Sequence, residues 1–307
     1  MAVVNILEVP HVYELTPPTQ QSEALVFVHG WLLSRVYWQP LVQQLSPQYQ
    51  CLTYDLRGFG QSNQYAEKRL HQSSQWSSSL LLPSPSRYCL AAYAEDLLVL
   101  LEKLRLDRVW LLGHSLGGSI ALWAAHLMPH RVKGVICLNA GGGLYIAKEF
   151  ERFRAAGQQM VRYRPAWLLN LPLLPYFFAR MMVARPLSPH WGRQRLKDFL
   201  QANSEAALGA LLESTTRAEV NRLPQVLAQL QQPVHFITAS QDSVMSPRYV
   251  RHLASFHPAF RHHENTVVEL ADCGHMAMVE QPQRVAQIVE AIVNAHLPYR
   301  PYLDRSS

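Results

Sequence analysis

The stretch VWLLGHSLGGSIALWAAH, Val109 to His126, constrains the fold of this chain more than any other part of it. Val109 to Leu112 are apolar and read as a buried strand; Leu116 to Leu127 reads as a helix with Gly117, Gly118, Ser119 and Ala121 on its near side. Ser115 stands between them, with a glycine two residues before it and another two residues after. In a G-x-S-x-G turn the serine is held on a strained strand-to-helix corner, and its neighbours must be nearly free of side chain for the two elements to meet. Such a corner lifts a hydroxyl clear of a sheet edge, where it is placed to act as a nucleophile.

Similar strands recur along the chain and alternate with helical patterns. ALVFVHG (Ala24 to Gly30), QCLTYDLRGFGQS (Gln50 to Ser62), GVICLNA (Gly134 to Ala140), PVHFITAS (Pro233 to Ser240) and TVVEL (Thr266 to Leu270) each open on an apolar run. AAYAEDLLVLLEKL (Ala91 to Leu104) and QPQRVAQIVEAIVNAH (Gln281 to His296) have the spacing of amphipathic helices. This alternation predicts an α/β class: a mainly parallel sheet with helices on both faces. Two segments interrupt it. Residues 63–86, rich in Gln and Ser, read as a mobile surface loop without a catalytic role. Residues 141–225 carry helical patterns and no convincing strand, so they are expected to form a helical cap over the carboxyl ends of the strands. Residues 1–140 and 226–307 then make up the core.

The 307 residues, 49% of them hydrophobic, suffice for one large core of this kind. A formal charge of +6, without a Lys/Arg block or binding motif, gives no reason to expect a nucleic-acid partner. Cys51, Cys89, Cys137 and Cys273 lack metal or redox spacing and are expected to be free thiols. The first fifteen residues have no basic-then-apolar pattern of a signal peptide, and no apolar run is long enough to span a bilayer. A cytoplasmic protein without metal or cofactor is the expectation.

A nucleophilic serine requires a base, and the base requires an acid. LADCGHMAMVEQP places His275 just beyond the strand ending at Leu270, and FITASQDSVMSP places Asp242 in the loop leaving the strand before it. The imidazole takes the hydroxyl proton; the carboxylate fixes its tautomer and stabilises the imidazolium. His29, His114 and His126 compete as bases, and Asp272, three residues before His275, competes as the acid. Asp242 is preferred because it follows its own strand and approaches from a neighbouring loop. The oxyanion needs preorganised N–H donors. Leu116 supplies one at the helix start, and the His29-Gly30 turn directs the Trp31 N–H toward the same point.

With FVHGW, DLRGFGQS, GHSLGGSIAL, QDSVMSP and CGHMAMVEQP, the chain resembles the α/β-hydrolase superfamily over nearly its whole length. The resemblance implies the order Ser115, Asp242, His275 for the triad and a mainly structural role for Asp55 and Arg57. Pro247 comes one residue later than is usual after the acid. A serine at the elbow argues against relatives that use an aspartate nucleophile. Esterases, lipases, thioesterases, amidases, carbon–carbon bond hydrolases and a menaquinone-pathway synthase remain, as does a ligand receptor built on the same fold.

The inserted segment bears on that choice. From Gly142 to Gln225 it carries twelve Lys/Arg against six acids, while the rest of the chain balances. RPAWLLNLPLLPYFFARMMVARP, Arg164 to Pro186, is strongly apolar and flanked by arginines. It reads either as cap helices packed on the core or as an apolar, basic-rimmed lid that touches a membrane surface and admits a lipophilic ester. His114, Trp167, Phe177 and Phe178 are expected to contact substrate. NAGGGLYIAKEFERFRAAGQ together with the apolar segment is similar to hydrolases of photosynthetic organisms, including the chlorophyll dephytylase group, which implies the phytyl ester of chlorophyll as a substrate.

Overall fold

The computed structural model describes residues 1–63, 87–141, 147–261 and 266–296. The loop expected over residues 63–86 therefore lies, beyond Asn63, outside the described residues. Eight strands form one sheet: β1 (Ala2–Ile6), β2 (Val9–Leu15), β3 (Ala24–Val28), β4 (Gln50–Tyr54), β5 (Val109–His114), β6 (Val132–Leu138), β7 (Val234–Ala239) and β8 (Val267–Leu270). Their order across the sheet is β1-β2-β4-β3-β5-β6-β7-β8. The six from β3 to β8 run parallel, and β1 and β2 add an antiparallel hairpin at one edge.

The helices are α1 (Gln39–Leu45), α2 (Leu90–Leu104), α3 (Leu116–Leu127), α4 (Ala147–Arg162), α5 (Leu174–Phe178), α6 (Pro189–Gln201), α7 (Ser204–Ser214), α8 (Arg217–Gln229), α9 (Pro247–Ala254), α10 (Pro258–Arg261), α11 (Ala277–Glu280) and α12 (Pro282–Ala295). The two-residue period of the strands divides the core between them. Val26, Val28, Leu111 and Val135 pack toward α2, α3 and α8, whereas Leu25, Phe27, Trp110, Leu112 and Ile136 pack toward α1 and α12. Both faces of the central strands are thus buried, which is why these strands are apolar throughout. Side chains such as Phe27 and Trp110, removed from water, each stabilise the fold by about 1.5–3 kcal/mol.

From β3 the chain first builds outward through β4, then returns to lay β5 on the other side of β3. The reversal puts a topological switch point at the carboxyl ends of β3 and β5, the place where open α/β sheets bind ligands. Several ties fasten the segment between β6 and β7 to the loops at that edge. The Trp31 indole N–H donates to Ala207 O at 2.8 Å, Ser34 Oγ donates to Asp198 Oδ2 at 2.9 Å, and the His275 N–H donates to Met182 O at 2.8 Å. Its last helix packs elsewhere. On α8, Glu219 accepts from the Trp123 indole at 2.6 Å and Arg222 lies 5.3 Å over the same ring, so residues 217–229 flank the sheet beside α3.

Candidate active site

β5 ends at His114 and α3 begins at Leu116, leaving Ser115 alone at the corner with φ 52° and ψ −119°. A non-glycine residue so placed is strained by about 1–3 kcal/mol and persists only where its surroundings hold it. They do so through the backbone: the Ser115 N–H donates to Leu138 O at 3.1 Å, and Ser115 O accepts from the Gly118 N–H at 3.0 Å. The flanking glycines are there for lack of room. A Cβ on Gly113 would lie 2.3 Å from Gly117 O, and one on Gly117 would lie 2.2 Å from Val28 O. Helix α3 can press against β3 and β5 only with those positions bare.

Asp242 and His275 meet at the same edge. The His275 Nδ1–H donates to Asp242 Oδ2 at 2.8 Å, and both residues are buried. Every other acceptor position of the carboxylate is also in use. Oδ1 accepts from the Val244 and Met245 N–H groups, each at 2.8 Å, and Oδ2 accepts from Asn139 Nδ2 at 2.8 Å. Burial alone would raise this carboxyl; His275 and the bonds from Met245 and Asn139 outweigh it and hold the group below its ordinary value. It is therefore a carboxylate throughout the neutral range.

His114 also contacts His275. Its Nε2 lies 2.8 Å from His275 O, and the two rings sit 4.7 Å apart. Burial, helped by the neighbouring His275, lowers His114 to about 3, so it is a neutral ring that donates its Nε2–H. It is buried, and its described contacts are with His275.

The loop after β3 is equally constrained. Leu56 N–H donates to His29 Nε2 at 2.9 Å, leaving Nδ1–H to donate to Gly30 O at 2.8 Å. With both nitrogens occupied and burial lowering its pKa, His29 is a structural ring that shapes the turn into Trp31. Leu116 opens α3, whose first N–H groups have no partner within the helix. Asp55 accepts from the Arg35 N–H at 2.7 Å, Arg35 Nη1 at 2.6 Å and the Gln61 N–H at 2.9 Å, while Arg57 Nε approaches Asp96 at 3.0 Å. Both residues are thus tied into buried ion pairs.

The structure brings Ser115, Asp242 and His275 to the carboxyl ends of β5, β7 and β8, with Trp31 following β3. Asp272 points away, toward Gln241 and Arg185 on the surface. Trp167 and Phe177 are 58% and 59% exposed; Phe178 is half-buried and turns inward onto Phe199 at 5.8 Å between ring centres. Asn139 escapes a reading of the sequence. It sits at the end of β6 with φ 50°, in a segment that reads simply as a strand, and the one available signal is an asparagine at a strand's carboxyl end. Cys51, Cys137 and Cys273 are free, and burial pushes their thiols up, so none is an activated nucleophile. Among the described residues no group of three or more His, Cys, Asp or Glu is placed to hold a metal.

Known proteins resemble the chain in sequence and in fold. A pimeloyl-[acyl-carrier protein] methyl ester esterase of Pseudoalteromonas atlantica is 26% identical over 225 residues, covering 72% of this chain and 76% of its own. A 2-succinyl-6-hydroxy-2,4-cyclohexadiene-1-carboxylate synthase of an Enterobacter strain is 27% identical over 277 residues, 89% of this chain and 92% of its own. The solved structure of an esterase from Thermogutta terrifontis superposes with a TM-score of 0.70 at 21% identity, covering 96% of this chain and 98% of that one. Residues 23–282 match the model of the alpha/beta hydrolase fold, and the chain belongs to that family.

Proposed function

We propose that the protein is a serine hydrolase of carboxylic esters, with Ser115 as nucleophile, His275 as base and Asp242 as the acid that orients it. The observation that carries this reading is the 2.8 Å bond from His275 Nδ1 to Asp242 Oδ2 beside the strained Ser115 corner. That bond commits Nδ1 and leaves Nε2 to take the serine proton. Ser115 Oγ then attacks the ester carbonyl, and the oxyanion is met by the Trp31 and Leu116 N–H groups. Collapse of the tetrahedral species breaks the acyl C–O bond; His275 returns the proton to the departing alcohol and the acyl group stays on Ser115. Water, deprotonated by the same imidazole, releases the carboxylic acid and restores the serine.

Of the cap expected over residues 141–225, helices α4 to α7 serve as the cover over this site, tied down at Trp31, Ser34 and His275. Its apolar character favours a lipophilic acyl or alcohol group. Carbon–carbon cleavage and the chemistry of the synthase relative would call on cap arginines to hold substrate carboxylates. Three of these are already spent on backbone carbonyls: Arg154 on Leu212 and Thr215, Arg164 on Val161 and Phe199, and Arg195 on Phe178 and Met181. This supports the ester reading over the carboxylate-dependent one.

Purified protein assayed on short and long nitrophenyl esters, a thioester and the phytyl ester of chlorophyll should cleave esters repeatedly, with long or isoprenoid chains preferred. Ser115→Ala should lower the rate by several orders of magnitude with the fold intact. A single slow turnover would favour a receptor, and activity confined to carboxylate-bearing substrates would favour the carbon–carbon reading.

A further inference from the structure

We propose that the outward face of residues 163–177 docks the protein onto an anionic lipid surface, from which it draws its substrate. The second half of this statement rests on the ester-hydrolase reading; docking itself needs no catalysis.

The first observation is where apolar surface is left uncovered. Apart from Met1, Val3 and Leu7 in the β1–β2 hairpin, every exposed large apolar side chain among the described residues lies between Phe153 and Phe177. Tyr163 and Leu173 are 78% and 76% exposed, and Trp167 and Phe177 stand out beside them. A contiguous stretch of this kind is unusual on a soluble surface and marks an interaction site. Its composition, Tyr and Trp with Leu and Phe, is that of side chains that settle at the boundary of a bilayer.

Backbone geometry excludes a deeper insertion. Pro165, Pro172 and Pro175 divide the stretch into a 3-10 turn, Ala166–Asn170, and the short helix α5. Among the described residues no helix is long and apolar enough to cross a membrane. The stretch can therefore lie on a surface and cannot span it.

Charge decides between a lipid surface and a second copy of the chain. From Arg152 to Lys197 there are nine Lys/Arg and not one Asp or Glu. Arg162 and Arg180, both exposed, bracket the apolar stretch directly. A two-fold interface through this face would set these arginines against their own copies, with no acid in the segment to pair them. Anionic headgroups supply the missing charge while the aromatic and aliphatic side chains enter the apolar boundary.

The same stretch leads straight to the catalytic edge. Arg195, buried in α6, holds Phe178 O at 2.7 Å and Met181 O at 2.6 Å, and Met182 O accepts the His275 N–H at 2.8 Å. A surface bound at residues 163–177 is thus joined through five further residues to the loop that carries the base.

Sedimentation of the full chain with vesicles tests this, using equimolar phosphatidylcholine and phosphatidylglycerol, with phosphatidylcholine alone as the uncharged control. The wild type should pellet with the anionic vesicles and be released as salt rises, because screening weakens the attraction. Tyr163→Ser with Leu173→Ser should weaken binding about tenfold or more. Arg162→Gln with Arg180→Gln should bring binding to anionic vesicles down toward the uncharged control. All four positions are exposed or half-exposed, and an unchanged melting curve with unchanged cleavage of a short soluble ester establishes that the variants are folded. Wild type remaining in the supernatant with both vesicles, or variants binding as well as wild type, would overturn the proposal. So would a wild-type dimer that Tyr163→Ser with Leu173→Ser converts to monomer. Ser115→Ala should bind vesicles as wild type does; a wild type that binds vesicles yet cleaves no ester would sink the hydrolase reading and leave the docking surface standing.

Discussion

Asn139 is committed to the acid in both backbone and side chain. Its left-handed φ of 50° ends β6 and turns Nδ2 onto Asp242 Oδ2 at 2.8 Å. Asn139→Ala removes that donor and leaves a residue less tolerant of this backbone. We expect kcat to fall about tenfold with KM little changed, because only the orientation of the His275–Asp242 pair is disturbed; equal kcat in the variant would show that Asp242 is held well enough without it. Gly30 gives a second test. A Cβ there would meet His114 Nδ1 at 2.8 Å, so Gly30→Ala must displace either the ring under His275 or the turn that carries the Trp31 N–H. Loss of one oxyanion donor costs about 10²–10³ in kcat, and Gly30→Ala should fall at or below that range in steady-state assay. An unaffected rate would mean that the Trp31 N–H is not part of the site. Ser115, Asp242 and His275 are legible in the sequence because glycine spacing and strand endings mark them. Asn139 is not, since its task depends on a backbone angle and on a partner more than a hundred residues away.

At the scale of elements, periodicity reveals the central strands and α2, α3 and α12 with nearly their observed ends. It misses the β1–β2 hairpin. Leu7 and Glu8 take φ 47° and 68° at its turn, without the Asn-Gly or Asp-Gly pair that announces such turns, so the sequence there carries no signal. The helices between β6 and β7 are legible as helices, but which of them flanks the sheet is decided by packing: α8 joins α3 through Trp123. Helix α6 has its own consequence for pH. Burial pushes the Asp198 carboxyl from 3.8 up to about 6, against the lowering effect of bonds from Gln194 and Ser34. Between those values the folded protein holds a proton that the unfolded chain has released. Stability from this group is therefore greatest at low pH and falls as pH rises through about 6. Asp198→Asn keeps an acceptor for Ser34 and removes the titration. Relative to wild type it should gain about 2–3 kcal/mol between pH 4 and 7 in urea unfolding. Parallel stability profiles for the two proteins would contradict the buried, protonatable state of Asp198.

For the molecule as a whole, strand order does the decisive work. Because β5 returns to the far side of β3, the loop after β3, the elbow after β5 and the turns after β7 and β8 all open on one edge of the sheet, and residues far apart in the chain become neighbours. Between β6 and β7, Met182, Asp198 and Ala207 are tied to the loops of that edge, and residues 163–177 present an apolar, arginine-bracketed face outward. The central claim is that this convergence makes Ser115, and no other serine, a nucleophile. A fluorophosphonate probe tests it most directly, with the modified residue located by mass spectrometry. The wild type should be labelled stoichiometrically at Ser115, His275→Ala should react far more slowly, and Ser115→Ala should take up no label. Label found at another residue, or Ser115→Ala labelled as readily as the wild type, would contradict the account.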